Sequence, residues 1–364
     1  MGEGQSTSLS AQLQQRIRAA IAGNGGWLPF DRFMALALYE PGLGYYANHS
    51  RKFGTMPDSG SDFVTAPEMS PLFGRALAVQ VAQALQSCGS GEIWEFGAGS
   101  GALAAQLLGE LGDRVAAYHV VELSAVLRQR QSLGLQAWTG RVHWHERLPE
   151  RIDGVLLGNE VLDAMPVQLL HWDGQRWCER GVAAADVALV WQDRPTPLRP
   201  PASDFAPGTV LEIHPQAEAF VRTLARHMGR AAAFFIDYGF PQAEYYHPQR
   251  TGGTLMCHRA HQADADPLVD VGLKDITTHL NFSGLALAAQ DAGLEVLGYT
   301  SQARFLLNCG MAAMLKDAGL ADRVAAQRLI HEHEMGELFK VLGLARGVEL
   351  DALGFASGDR SHRL

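Results

Sequence analysis

A Rossmann-like, doubly wound α/β sheet is the fold class that this sequence predicts. Three observations carry the expectation. Short apolar strands alternate with helices from residue 92 onward, the pattern of a parallel sheet covered on both faces. A glycine-rich turn joins the first of these strands to its helix, and an acidic residue closes the second strand. Together these two features mark the ligand-holding edge of such sheets. A helical N-terminal region and a β-rich insertion are expected as additions.

The elements follow in order. Residues 8–22 predict an amphipathic helix, with Leu13, Ile17 and Ile21 on one face. The glycines from Gly23 to Gly26 stop it. A second helix is predicted over 30–38. The stretch from Tyr39 to Ser70 is rich in Gly, Pro, Ser and Tyr, and a connection of that length predicts a lid or binding segment. Helix resumes over 71–85. Strands are predicted over 92–96, 117–121, 142–144 and 154–157, with helices over 101–111 and 125–131 between the earlier ones. The segment 167–213 breaks this rhythm. It carries three β-like runs, 167–171, 176–180 and 187–191, with Asp173-Gly174 as a hairpin turn between the first two. A proline-rich loop follows over 195–207. A fifth strand of the sheet is expected over 232–236, with late elements at 294–300 and 338–344.

Bulk composition bounds the function. The chain has 364 residues, 47% hydrophobic and 19% charged, enough for a large core and little disorder. Thirty basic residues against 39 acidic ones give a net charge of -9, which makes a general phosphate-backbone binder a poor reading, so no nucleic acid is expected as partner. Cys88, Cys178, Cys257 and Cys309 are far apart and form no CxxC pair, as in a reduced, cytosolic enzyme. The polar N-terminus lacks a signal-peptide core, and no apolar run could span a bilayer. A cytoplasmic protein with no membrane association is expected, and the apolar part of the β-rich insertion makes a homodimer conceivable. Two metal-like clusters are discounted. Cys257, His258 and His261 lack a second half at ligand spacing, and His331 and His333 lie two residues apart where the zinc signature needs four.

The chemistry concentrates at two turns. The first runs from Glu95 through Gly97, Ala98, Gly99 and Gly101, between a strand and a helix. Glycines there let backbone approach a ligand, and the helix aims free N–H groups at it. Glu122, at the end of the next strand, is placed to meet the hydroxyls of a ribose. Two cofactor classes use this arrangement. Dinucleotides favour GxGxxG, whereas the GxGxG spacing here, with Glu95 before it, is similar to the first motif of class I methyltransferases. The second turn runs from Gly158 through Asn159, Glu160 and Asp163 to Pro166, after the fourth strand. It falls at the carboxyl edge of the sheet, where ligands of such folds bind. The plainer reading is that Asn159 or Asp163 caps a helix that soon breaks at Pro166.

These motifs, in this order, resemble the family of the mitochondrial complex I assembly methyltransferase and its bacterial relatives. The resemblance runs from Tyr39–Tyr46 and Gly60–Gly74 through 95–101, Glu122-Leu123-Ser124 and 158–166. It continues through Ile236–Gly239, Gly252–Leu255, Asp275–Thr277 with Asn281-Phe282, and Phe339–Leu342. It implies a class I methyltransferase that uses S-adenosyl-L-methionine, and a protein substrate, since the mitochondrial member is a protein arginine methyltransferase. By this resemblance Glu95 meets the amino end of the cofactor. Gly97, Ala98, Gly99, Gly101, Glu122, Leu123, Asn159, Thr65, Pro67 and Ser70 line its site, with Asp62 in the same motif. A protonated guanidinium has no free lone pair, so an arginine acceptor needs carboxylates to grip it and take a proton. Glu160 is the first candidate, with Asp163 and Glu68 behind it; Glu68 reads equally as the N-terminal carboxylate of a helix or turn before Pro71. The segment from Tyr45 to Ser70 is expected to close as a lid. Four regions result: residues 1–90, helical and lid; 91–166, the cofactor-binding half of the sheet; 167–230, the β-rich insertion; and 231–364, the C-terminal half. A binding-only assembly scaffold and an NAD-dependent oxidoreductase are the competing readings.

Overall fold

The computed structural model describes residues 3–48, 64–186, 188–259 and 262–364, with side chains from Ser8 onward. The chain forms two compact units, each with its own core. The first comprises Met1–Phe63, Asp163–Ala217 and Gln242–Asn281, the second Val64–Leu162, Glu218–Pro241 and Phe282–Leu364.

The second unit holds the doubly wound sheet. Its strands are β1 (Glu92–Phe96), β2 (Ala117–Val121), β3 (Val142–His145), β4 (Ile152–Asn159), β5 (Met228–Phe240), β6 (Glu295–Ser301) and β7 (Phe339–Arg346). They run in the order β6-β7-β5-β4-β1-β2-β3. The first five are mutually parallel, and β7 lies antiparallel to both β5 and β6. β1 and β4 are neighbours although the chain leaves β1 towards β2, so strand order reverses there. In open α/β sheets that switch point is where ligands bind, beyond the carboxyl ends of the strands.

Residue type explains why these strands are central. β4 and β5 are nearly continuous apolar runs, buried on both faces, as parallel strands under helices must be. Helix Pro71–Cys88 starts with the Ser70 hydroxyl accepting from Leu72 N at 3.2 Å and a proline in its first turn, and it ends at Gly89 in the left-handed region. It buries Phe73, Leu77, Val81 and Leu85 against the core that includes Leu103, Leu107 and Leu108 of helix Ala102–Leu111 and Ile93, Val155 and Phe234 of the sheet.

The first unit packs Leu13, Ile17 and Ile21 of helix Glu3–Gly23 with Phe30, Phe33, Met34 and Leu38 of helix Phe30–Tyr39 and Val182 of an antiparallel sheet. That sheet contains Gln168–Trp172, Trp177–Ala185, Ala188–Pro195 and Val210–Ile213. The three β-like runs expected over 167–191 are therefore strands. At the turn between the first two, Asp173 Oδ1 accepts from the amides of Gln175 and Arg176, both at 2.8 Å, and Gly174 has φ 97°. A three-stranded sheet of Met256–Arg259, Gln262–Asp264 and Asp275–Thr277 was not expected. His331–Glu334 lies largely in a short kinked turn, Glu332–Gly336, and is mostly solvent-facing. Among the described residues no helix is long and apolar enough to cross a membrane. No group of three or more His, Cys, Asp or Glu among them is placed to hold a metal ion. His261 lies outside the described residues.

Candidate active site

β1 ends at Phe96, and the chain then turns through Gly97, Gly99 and Gly101 at φ 61°, 53° and 85°. Side chains disfavour that region, so glycine is required at each. Gly97 N donates to Val121 O at 3.2 Å, which keeps the turn in register with β2. A Cβ on Gly97 would lie 3.0 Å from Val161 Cγ2. The glycine loop therefore lies directly against the turn that follows β4. Ala98 is buried beneath it, and Gly101 caps helix Ala102–Leu111 without a side-chain bond.

Two carboxylates flank the loop, and both are buried. Glu95 is 3% exposed and accepts from Tyr118 Oη at 2.8 Å through Oε2. Burial raises its carboxyl to about 7; the Tyr118 hydrogen bond opposes this, and the Glu122 charge adds to it. Glu122 ends β2. Its Oε1 accepts from Ser124 N at 2.8 Å and its Oε2 from Gln131 Nε2 at 3.3 Å. Burial raises this carboxyl too, against those hydrogen bonds. Leu123, the next residue, is 73% exposed, an apolar side chain at the sheet edge beside a buried carboxylate.

The turn after β4 is strained. Glu160 has φ 54°, a conformation that costs a non-glycine residue about 1–2 kcal/mol. The surroundings hold it there. Glu160 N donates to Ile236 O at 2.9 Å, extending the β4–β5 pairing by one residue. The following amides of Val161 and Leu162 both donate to Asp237 Oδ2, at 3.2 and 3.0 Å. The other oxygen of Asp237 takes Tyr238 N at 2.9 Å. One buried carboxylate in the last part of β5 thus clamps the turn. Asn159 Nδ2 donates to Glu160 Oε1 at 3.0 Å, while Asn159 Oδ1 is buried and accepts nothing from the described residues. Buried acceptors normally have a donor, so this orphan atom points to a bound group. Asp163 falls in the first unit, where it is buried and its carbonyl accepts from Thr278 N at 3.0 Å.

Thr65 opens the short helix Ala66–Met69, and Glu68 Oε2 accepts from Thr65 N at 3.3 Å and Oγ1 at 3.4 Å. Glu68 is therefore an N-terminal carboxylate of that helix. It also accepts from Ser100 of the glycine loop, and burial outweighs both contacts to raise its carboxyl. Pro67 is buried and its carbonyl accepts from Gln106 Nε2 at 2.7 Å, which ties the helix to Ala102–Leu111. Ser70 spends its hydroxyl as the cap of the next helix. Most of the expected lid, residues 49–63 with Asp62, lies outside the described residues.

Glu95, the glycine loop, Glu122, Asn159, Glu160 and the 65–70 segment thus all belong to the second unit, and several touch through the contacts above. Gln131, Tyr118 and Trp144 join this network without any motif to announce them. The set suits S-adenosylmethionine: backbone that lets a ligand approach closely, two buried carboxylates that can accept from hydroxyl or ammonium groups, and an unmatched buried acceptor.

The comparisons agree. Residues 76–300 match the family model described as "Putative S-adenosyl-L-methionine-dependent methyltransferase". A Burkholderia thailandensis protein whose crystal structure is bound to S-adenosyl-homocysteine is 49% identical, with a TM-score of 0.96 over 100% of this chain and 99% of its own. The protein arginine methyltransferase NDUFAF7 of Danio rerio, a mitochondrial protein, is 26% identical over 94% of this chain and 89% of its own length. Its human counterpart is 24% identical over 88% and 80%. With the family model spanning more than half the sequence, the chain belongs to this family of S-adenosylmethionine-dependent methyltransferases.

Proposed function

We propose that the chain methylates a protein side chain, an arginine, and that Glu160 receives the guanidinium. The observation that carries this reading is the turn after β4. A strained, clamped carboxylate stands at the switch point of the sheet, in a turn that packs on the glycine loop. Strain held by surrounding contacts accumulates where geometry must be fixed. The names of the mitochondrial relatives supply the acceptor class.

S-adenosylmethionine, when bound, supplies an activated methyl group on sulfur, so the protein's work is positioning and exclusion of water. In this proposal the backbone of Gly97, Ala98, Gly99 and Gly101 cradles the cofactor. Glu122 takes the ribose hydroxyls, with Leu123 beside it. Glu95, one oxygen fixed by Tyr118, takes the amino end with the other. Asn159 lies at the reacting end, and Thr65, Pro67 and Ser70 contribute next to Ser100. Glu160 then binds the acceptor guanidinium through both oxygens, turns one nitrogen towards the methyl group, and accepts the proton that this nitrogen loses. Asp163, three residues on in the chain, and Glu68 are the other carboxylates proposed for the acceptor.

Glu160→Gln tests the assignment. Calorimetry should show S-adenosylhomocysteine binding within about twofold of wild type. Transfer of tritiated methyl from S-adenosylmethionine into the protein fraction of a cell extract should fall by about a hundredfold or more. Acid hydrolysis of the labelled fraction should release methylarginine. Full activity in the variant would remove Glu160 from this role, and label on another residue type would remove arginine as acceptor.

A further inference from the structure

Gln131 lies on helix Ala125–Gly134 and is completely buried, at 0% exposure. A buried amide on a polar helix needs a reason, and its contacts give one. Its Oε1 accepts from Trp144 Nε1 of β3 at 3.0 Å. Its Nε2 donates to Gly99 O at 3.1 Å and to Glu122 Oε2 at 3.3 Å. The orientation of the amide is forced. An indole N–H can only donate, so it must face the amide oxygen, and a backbone carbonyl and an ionised carboxylate can only accept. The nitrogen therefore faces the ligand-holding side, and each of its two hydrogens has an acceptor.

We infer that Gln131 is a positioning residue for the cofactor, tying the glycine loop to Glu122 so that the site selects a ligand with an intact ribose. The inference rests on the reading that Glu122 takes the ribose hydroxyls. A buried carboxylate with free rotation would spread its two oxygens over several directions. Ser124 N fixes one oxygen and Gln131 Nε2 the other, so the remaining lone pairs point one way. The same nitrogen fixes the Gly99 carbonyl, and with it the left-handed peptide that follows β1. Neither the residue's helix nor its neighbours in sequence carry a ligand-binding signature, so its part in the site comes wholly from these three contacts.

The test is calorimetric, on the full chain, with two probes: S-adenosylhomocysteine and its 2′-deoxyribose analogue. Gln131→Glu keeps the length and the acceptor for Trp144 but, when ionised, has no proton to donate and sets a second charge beside Glu122. Gln131→Met keeps the length without charge and serves if the first variant does not fold. In wild type the analogue should bind about tenfold or more weakly, since each hydrogen bond to a charged group is worth that much. Either Gln131 variant should bind S-adenosylhomocysteine about tenfold to a hundredfold more weakly, yet lose little further on removal of the 2′-hydroxyl. The double variant, with Glu122→Gln added, should in total lose less affinity than the two single losses combined. A variant that weakens both probes equally, with the wild-type ratio kept, overturns the inference and leaves Gln131 a packing residue. A wild type indifferent to the 2′-hydroxyl, with Glu122→Gln equally indifferent, overturns the ribose reading and the inference with it. The two failures are distinguishable.

Discussion

At the residue scale, the site is built from polar groups placed where burial changes their behaviour. Glu95 is the clearest case. Burial raises its carboxyl from 4.5 to about 7, so in the free protein it carries a proton for part of the time near neutrality. Protonation is favoured in the folded chain. The stability it lends is fully present below pH 4.5 and is lost as pH rises through about 7. An ammonium arriving from the cofactor would favour the ionised form and expel the proton. Binding of S-adenosylhomocysteine near pH 7 should therefore release about half a proton. Affinity should rise from pH 5 to 7 and level off above. Calorimetry in two buffers of different ionisation enthalpy measures the release, and Glu95→Gln should abolish it. Binding with no proton release in wild type would mean that the amino end lies elsewhere. The pairing with Tyr118 that shapes this titration lies across a β1–β2 contact, and nothing in the local sequence announces it.

At the element scale, the glycine loop is the part that the sequence declares most openly. β1 and β2 run over the expected residues because each is a short apolar run between turn residues. Three glycines at fixed spacing then had to take conformations that others avoid, and all three do. Gly99→Val should thus abolish S-adenosylhomocysteine binding while the far-ultraviolet spectrum stays near wild type. A β-branched residue at φ 53° is strained, and in the proposed site its bulk would fill the space of the ligand. Retained binding by calorimetry would place the cofactor elsewhere. Other elements were legible only in part. β5 runs from Met228 to Phe240, well beyond the apolar stretch 232–236, because β4 and β7 pair with it on both sides and carry it past the hydrophobic signal. The three-stranded sheet went unseen because Gln262–Asp264 is polar and wholly exposed, with no alternation to read. The clamp that Asp237 places on Val161 joins residues 76 apart. A separation of that length leaves no local signal that they touch.

At the scale of the whole molecule, charge and architecture bear on how the protein meets its partners. A net charge of -9 should favour the approach of a cationic segment such as the arginine-bearing substrate proposed above, with an on-rate that falls as salt rises. The residues proposed for the cofactor fall in one unit. Thr65, Pro67, Ser70, Glu95, the three loop glycines, Glu122 and Asn159 all lie in the second unit, whose core is its own. The first unit has a separate core of helix and antiparallel sheet. A ligand stabilises the parts that bind it, by about 2.7 kcal/mol at a hundredfold excess over Kd, and local opening reports where that energy is felt. Saturation with S-adenosylhomocysteine should slow hydrogen exchange in the amides of residues 92–101, 118–131 and 155–162. Amides of 168–185 and 210–213 in the first unit should exchange as before. Protection spreading evenly through that antiparallel sheet would mean that the cofactor draws directly on the first unit, and the assignment of its site to the second unit alone would fall.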